Sequence, residues 1–160
     1  MDAQLARVRD RHLLMLQRSL KIFNSVLAAA EPTALTTKRD GPDGWTALEI
    51  VCHVRDLEPN FIRRVHSVVE QERPDFIILD VNKLAIERNY NAQDPAAALA
   101  EFASYRAELL AFFAGVQDND WLRTGVHPER GEQSLLDVLM HIAHHDHEHI
   151  EQMTRVLAQQ

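Results

Sequence analysis

Three histidines stand four residues apart near the C-terminus: His141, His145 and His149, within the run HIAHHDHEHIEQ. Four residues make about one turn of an α-helix, so the three project from one side, close enough to share an ion. Neutral imidazole is the commonest metal-ligating side chain, and five histidines in nine residues predict a metal site. A helical wheel sorts them. His149 falls within the apolar face set by Leu135, Val138, Leu139, Ile142, Ile150 and Met153. His145 lies toward its edge and His141 further out, while His144 and His147 point largely away.

A further histidine, His53, lies upstream in EIVCHVRDLE, at the margin of another apolar stripe. Two ligands from one helix and one from a second make a three-histidine site with room for water or substrate, whereas structural zinc usually takes four protein ligands. His12 competes as a ligand from the stripe of the first helix, although a buried histidine with a hydrogen-bond partner is the plainer reading. His66 and His127 have no periodic context and read as surface or loop residues.

Three charged residues fall toward inner faces: Glu58, Arg106 and Asp146. A lone buried charge is costly, so each needs a partner. Asp146 is placed to orient the second ring nitrogen of a ligand, and Glu58 and Arg106 to pair across the bundle. Cys52 reads as a packed, inert thiol.

Four segments carry helical periodicity and must position these residues: Ala3 to Ala29, Trp45–Thr46 to Glu70, Pro95 to Val116, and Ser134 to Leu157. Between them run the polar stretch TTKRDGPDG, an irregular connection over 74–94, and a second irregular stretch over 118–132. Four amphipathic helices with long crossovers predict one all-α bundle domain over 1–160, with the connections outside its core. The net charge of −7, with no basic tract, argues against nucleic-acid binding. A single cysteine allows no intramolecular disulfide. The charged start MDAQLARVRDRHLLMLQ shows neither a signal peptide nor a membrane span, which makes the cytoplasm the default expectation.

Three local matches make the chain similar to the DinB superfamily, whose members include bacillithiol S-transferases and mycothiol-dependent maleylpyruvate isomerases. GWTALEIVCHVRDLE resembles the second-helix motif, in which Trp-Ser/Thr leads to a histidine and then an acidic residue, here His53 and Glu58. HIAHHDHEHIEQM resembles the last-helix signature of two histidines four apart with glutamine three residues later. Counting back from Gln152 selects His149 and His145, the pair the wheel selects. YRAELLAFFAGVQDNDWLR resembles the region holding Arg106 and Trp121. The resemblance implies an up-down-down-up four-helix bundle, frequent dimerisation, and a divalent metal on His53, His145 and His149. His141 and His12 remain candidates for a fourth position.

Zinc or nickel leads among the ions that three imidazoles suit. The resulting functional expectation is a metal-dependent transferase using a low-molecular-weight thiol as cosubstrate. An acidic protein binding an anionic thiol needs a local basic group, for which Arg88 and Arg130 are available, and the loop 74–94, with Asp80 and Tyr90, is placed to cover the site. The alternatives are a non-catalytic, stress-associated metal-binding bundle and a metal-dependent hydrolase. Leu13, Leu14 and Met15 widen the apolar arc of the first helix, which predicts a two-fold homodimer using that helix.

Overall fold

Each long helix starts where a short polar side chain takes up the free N–H groups of the first turn. Asp2 accepts from the backbone of Gln4 and Leu5. Thr46 and Glu49 form a capping box, as do Ser134 and Asp137, and Asp94 caps a helix with proline at its first position. Each cap contributes about 1 kcal/mol. The computed structural model, which describes residues 1–159, accordingly shows four long helices: α1 (Ala3–Ala29), α3 (Ala47–Glu70), α5 (Pro95–Gly115) and α6 (Leu135–Leu157). All four fall within about two residues of the bounds read from the apolar stripes, the usual scatter of helix ends.

Cross-helix contacts give the directions. Ser19 meets Asp146 while Arg9 meets Asp118, so α1 runs parallel to α6 and antiparallel to α5. Glu58 meets Arg106 and His66 packs on Phe112, so α3 runs parallel to α5. The bundle is therefore all-α and up-down-down-up.

The crossovers carry more structure than their sequences advertise. Helix α2 (Ala34–Thr37) lies in the first, and α4 (Val81–Glu87) in the second. The third forms an antiparallel hairpin of β1 (Thr124–His127) and β2 (Gly131–Ser134), turned through Gly131 at φ +75°. Nor do the crossovers stay outside the core: Phe76, Tyr90 and Trp121 are buried within it. Phe76 enters because Pro74 and Phe76 exchange backbone hydrogen bonds with Val126 on β1. Gly125 permits that approach, since a Cβ there would sit 2.3 Å from the Phe76 ring. Tyr90 donates to Asp56, which also takes Arg55 and Arg88, and this latch ties the second crossover to α3. Arg123 donates to the carbonyls of Val68 and Gln71, closing the end of α3.

The apolar core falls into two clusters. One surrounds Phe61, Leu109, Trp121 and Leu139, the other Phe23, Ile50, Phe102 and Met153. Ser19, Glu58, Arg106 and Asp146 occupy the layer between them, each on a different long helix. Among the described residues, no helix is long and apolar enough to cross a membrane.

Candidate metal centre

His53 on α3 faces His145 and His149 on the antiparallel α6. The Nε2 atoms of His53 and His145 stand 3.2 Å apart, and those of His145 and His149 3.1 Å. Two nitrogens bound to one ion at about 2.0–2.1 Å stand roughly 2.8–3.4 Å apart across right-angle to tetrahedral bond angles. The spacing therefore fits a shared divalent ion, and the group can hold one.

Protonation favours the same use. Burial pushes His53 down to about 3 and His145 well below its ordinary value, and it lowers His149 as well. All three rings are neutral at pH 7, the state a metal requires. The second nitrogens are held unequally. Gln152 Oε1 accepts from His149 Nδ1 at 2.8 Å, which leaves the Nε2 lone pair toward the cluster. Gln152 is fixed in turn by donating to Asp40 at 3.0 Å. The Nδ1 atoms of His53 and His145 are buried without a partner. Trp45 covers one side, its ring 4.5 Å from that of His53 and nearly parallel to that of His149.

The charged candidates pair with one another rather than with the histidines. Arg106 holds Glu58 at 2.7 Å and Asp146 at 2.7 Å, and also donates to Ser19 and to the carbonyl of Leu16. Asp146 also accepts from Ser19. The expected Glu58–Arg106 pair is present, whereas Asp146 orients no ligand ring: its oxygens are committed to Arg106 and Ser19. Burial raises Glu58 against the opposing pull of Arg106, and Arg106 is held above its ordinary value by the two carboxylates despite its own desolvation.

Beside the triad opens a cavity of about 200 Å³, walled by His53 and His145 together with Arg64, His127, Arg130 and His141. His141 is thus a wall residue outside the triad, with Arg130 against its ring. His127, read as a surface or loop histidine, is buried in that wall because the hairpin folds back on α3. His12 bonds the Val8 carbonyl at 2.7 Å and lies tilted against His144, away from the triad. Arg88 is bound to Asp56, so of the two proposed basic groups only Arg130 reaches the cavity. Asp80 caps α4 and Tyr90 anchors to Asp56, so neither covers the site. The second crossover contributes Ile78, Leu79 and Val81 instead. His66 is an exposed partner of Glu70, and Cys52 is buried with its thiol pushed up to about 11. A larger cavity of about 690 Å³ lies among Val26, Thr33, Lys38 and Leu157, away from the histidines.

Sequence reasoning missed Asp40, Gln152 as its partner, and Arg64. Arg64 follows His53 by eleven residues, about three turns, and so lies on the same face of α3.

The DinB superfamily profile matches residues 15–153. The chain belongs to the DinB superfamily. Among solved structures, YfiT from Bacillus subtilis is similar at a TM-score of 0.85 and 23% identity, over 92% of this chain and 85% of that one. It is described as a probable metal-dependent hydrolase with an unusual four-helix bundle topology. Mycothiol-dependent maleylpyruvate isomerase is similar at 0.74 and 11% identity, over 91% of this chain and 60% of the isomerase, so the chain spans less than two thirds of that protein. A mutant of the isomerase aligns equally well. No curated protein matches the sequence.

Proposed function

We propose that this protein is a metal-dependent transferase in which His53, His145 and His149 hold a divalent ion and a low-molecular-weight thiol attacks an electrophile in the adjoining cavity. The observation that carries the reading is the trio of neutral imidazoles, in which the Nε2 of His145 stands 3.1 Å from that of His149 and 3.2 Å from that of His53, with His53 and His145 in the wall of that cavity. His53, His145 and His149 would hold the ion, whose charge would lower the pKa of a thiol bound beside it and so favour thiolate at neutral pH. A thiol begins near a pKa of about 8.5, so it needs no protein base. The buried carboxylates of α3 and α6 are in any case committed elsewhere, Glu58 and Asp146 to Arg106 and Asp56 to Arg55, Arg88 and Tyr90. Sulfur then bonds to the electrophilic carbon, the thiol proton passes to solvent, and the leaving group departs with its bonding electrons. The buried Cys52 cannot serve as nucleophile, so the thiol comes from outside the chain.

A second reading, hydrolysis, draws on the similarity to YfiT, which is described as a probable metal-dependent hydrolase. His141 in the cavity wall is pushed down to about 4 by burial and by Arg130, which makes it a weak base for attacking water. We also infer a cytoplasmic, two-fold dimer built on α1, where Leu14 and Ile22 remain exposed. Light scattering returning a mass near 18.3 kDa would defeat the dimer.

Elemental analysis paired with turnover tests the main reading. The purified protein should carry about one zinc or nickel per chain, and His149→Ala should lose most of it. Turnover of an aromatic halide should require an added small thiol. Full metal content in His149→Ala would sink the site, and turnover of esters without thiol would select hydrolysis.

A further inference from the structure

Arg64 is 6% exposed, yet its Nε and Nη1 atoms are buried without any hydrogen-bond partner. Its guanidinium lies 4.8 Å from the centre of the Phe76 ring and 5.5 Å from that of Phe61, contacts that hold the plane without neutralising its charge. No carboxylate among the described residues pairs with it, although Glu129 and Asp75 line the cavities on either side. Burial, Arg130 and Arg63 push it down to about 10, still cationic at neutral pH. An unpaired buried charge is among the costliest groups a fold can carry, and this one lines the cavity that His53 and His145 of the triad also line.

Two further donors converge on the same space. Arg130 supplies a second guanidinium. His127 Nδ1 accepts from the backbone N–H groups of Glu129 and Arg130, both at 3.2 Å, which fixes the ring proton on Nε2. Two guanidinium groups and an imidazole N–H thus line one small cavity of an acidic protein, against the single carboxylate of Glu129, and guanidinium forks match the paired oxygens of carboxylates and phosphates.

We propose that this cavity is an oxyanion-binding subsite, in which Arg64, with Arg130 and His127, takes the carboxylate or phosphate of a small substrate. Resting on the metal reading for its catalytic meaning alone, the subsite holds the substrate by its anionic end and leaves the reacting end toward His53, His145 and His149. Substrates of the transferase are therefore small organic anions, and neutral electrophiles of the same shape are poorer.

Calorimetric titration of EDTA-treated protein with succinate and, separately, with inorganic phosphate tests the subsite without metal or turnover. At least one should bind at about millimolar strength and raise Tm, and which one binds identifies the anion class. Arg64→Met should keep or raise the ligand-free Tm, because it removes an unpaired buried charge, and should abolish the anion response. Arg64→Lys, which keeps the charge but loses the fork, should weaken binding roughly tenfold. His149→Ala should bind the anion as the parent does, so a failure of the metal reading leaves this result intact. Absence of binding by either anion, or an unchanged anion response in Arg64→Met and Arg64→Lys, would overturn the proposal.

Discussion

Arg106 and Arg64 are both buried guanidinium groups in one bundle, at 1% and 6% exposure, and they are treated in opposite ways. Arg106 makes hydrogen bonds through all three of its nitrogens to Glu58, Asp146, Ser19 and the Leu16 carbonyl. Arg64 Nε and Nη1 make none, and the nearby Nδ1 atoms of His53 and His145 are likewise without partners. Charge follows: the two carboxylates hold Arg106 above its ordinary value, while burial lowers Arg64. A completed network closes on itself and ties four helices together. The incomplete cluster has capacity left for groups the chain does not supply. Buried polar atoms in native proteins are almost always satisfied. Four of the six unpartnered buried side-chain atoms among the described residues belong to residues lining one cavity, the others being Trp121 Nε1 and Gln133 Oε1, so the four point to ligands and the satisfied layer points to architecture.

The contrast breaks most directly at Arg106. Arg106→Met strands Glu58 and Asp146 as buried carboxylates, and it should destabilise the protein by about 3–5 kcal/mol, lowering Tm by roughly 10 °C. Thermal unfolding of EDTA-treated protein measures this beside Arg64→Met, for which no comparable loss is expected. Equal losses in the two variants would erase the distinction between network and site.

A smaller effect belongs to the one ligand whose second nitrogen the protein does hold. Gln152 fixes the His149 tautomer and is itself fixed by Asp40. Gln152→Ala should leave the fold intact and weaken metal binding by roughly 10- to 100-fold. Competition with a chromogenic chelator reads the change, and unchanged affinity would show that the Asp40–Gln152–His149 chain does not tune the site.

Legibility followed the same division. The four long helices were readable because burial of one face imposes a 3.6-residue period, and caps such as Thr46–Glu49 and Ser134–Asp137 mark their starts. The pair His145 and His149 was readable because both sit on one turn-spaced row. Arg64 was not, because a stripe drawn through apolar residues passes over an arginine even where the fold buries it. His127 and Phe76 depend on the pairing of β1 with Pro74–Phe76, a long-range contact between short irregular segments that no local period announces. Asp40 sits in a polar break whose role appears only once α6 is packed beside it. The connections escaped for a related reason: α4 buries none of its residues and so leaves no stripe.

The finest probe of the cavity wall is His141. Burial, then Arg130 and Arg64, lower its folded pKa from 6.5 to about 4, with His127 and His144 adding smaller pushes. Between those values the unfolded chain takes up a proton that the folded chain refuses. The stability this ring contributes is therefore complete above pH 6.5 and drains away as pH falls toward 4. Partial solvation of the ring reduces the effect to about 1–2 kcal/mol. His141→Gln should flatten the acid limb of the stability profile by that amount in EDTA-treated protein, with little change at pH 8. The His141 ring protons in an NMR titration should move with a midpoint well below the ordinary histidine value of 6.5. A midpoint near 6.5 would show that the wall is open to water and would weaken the case for a desolvated, anion-selective cavity.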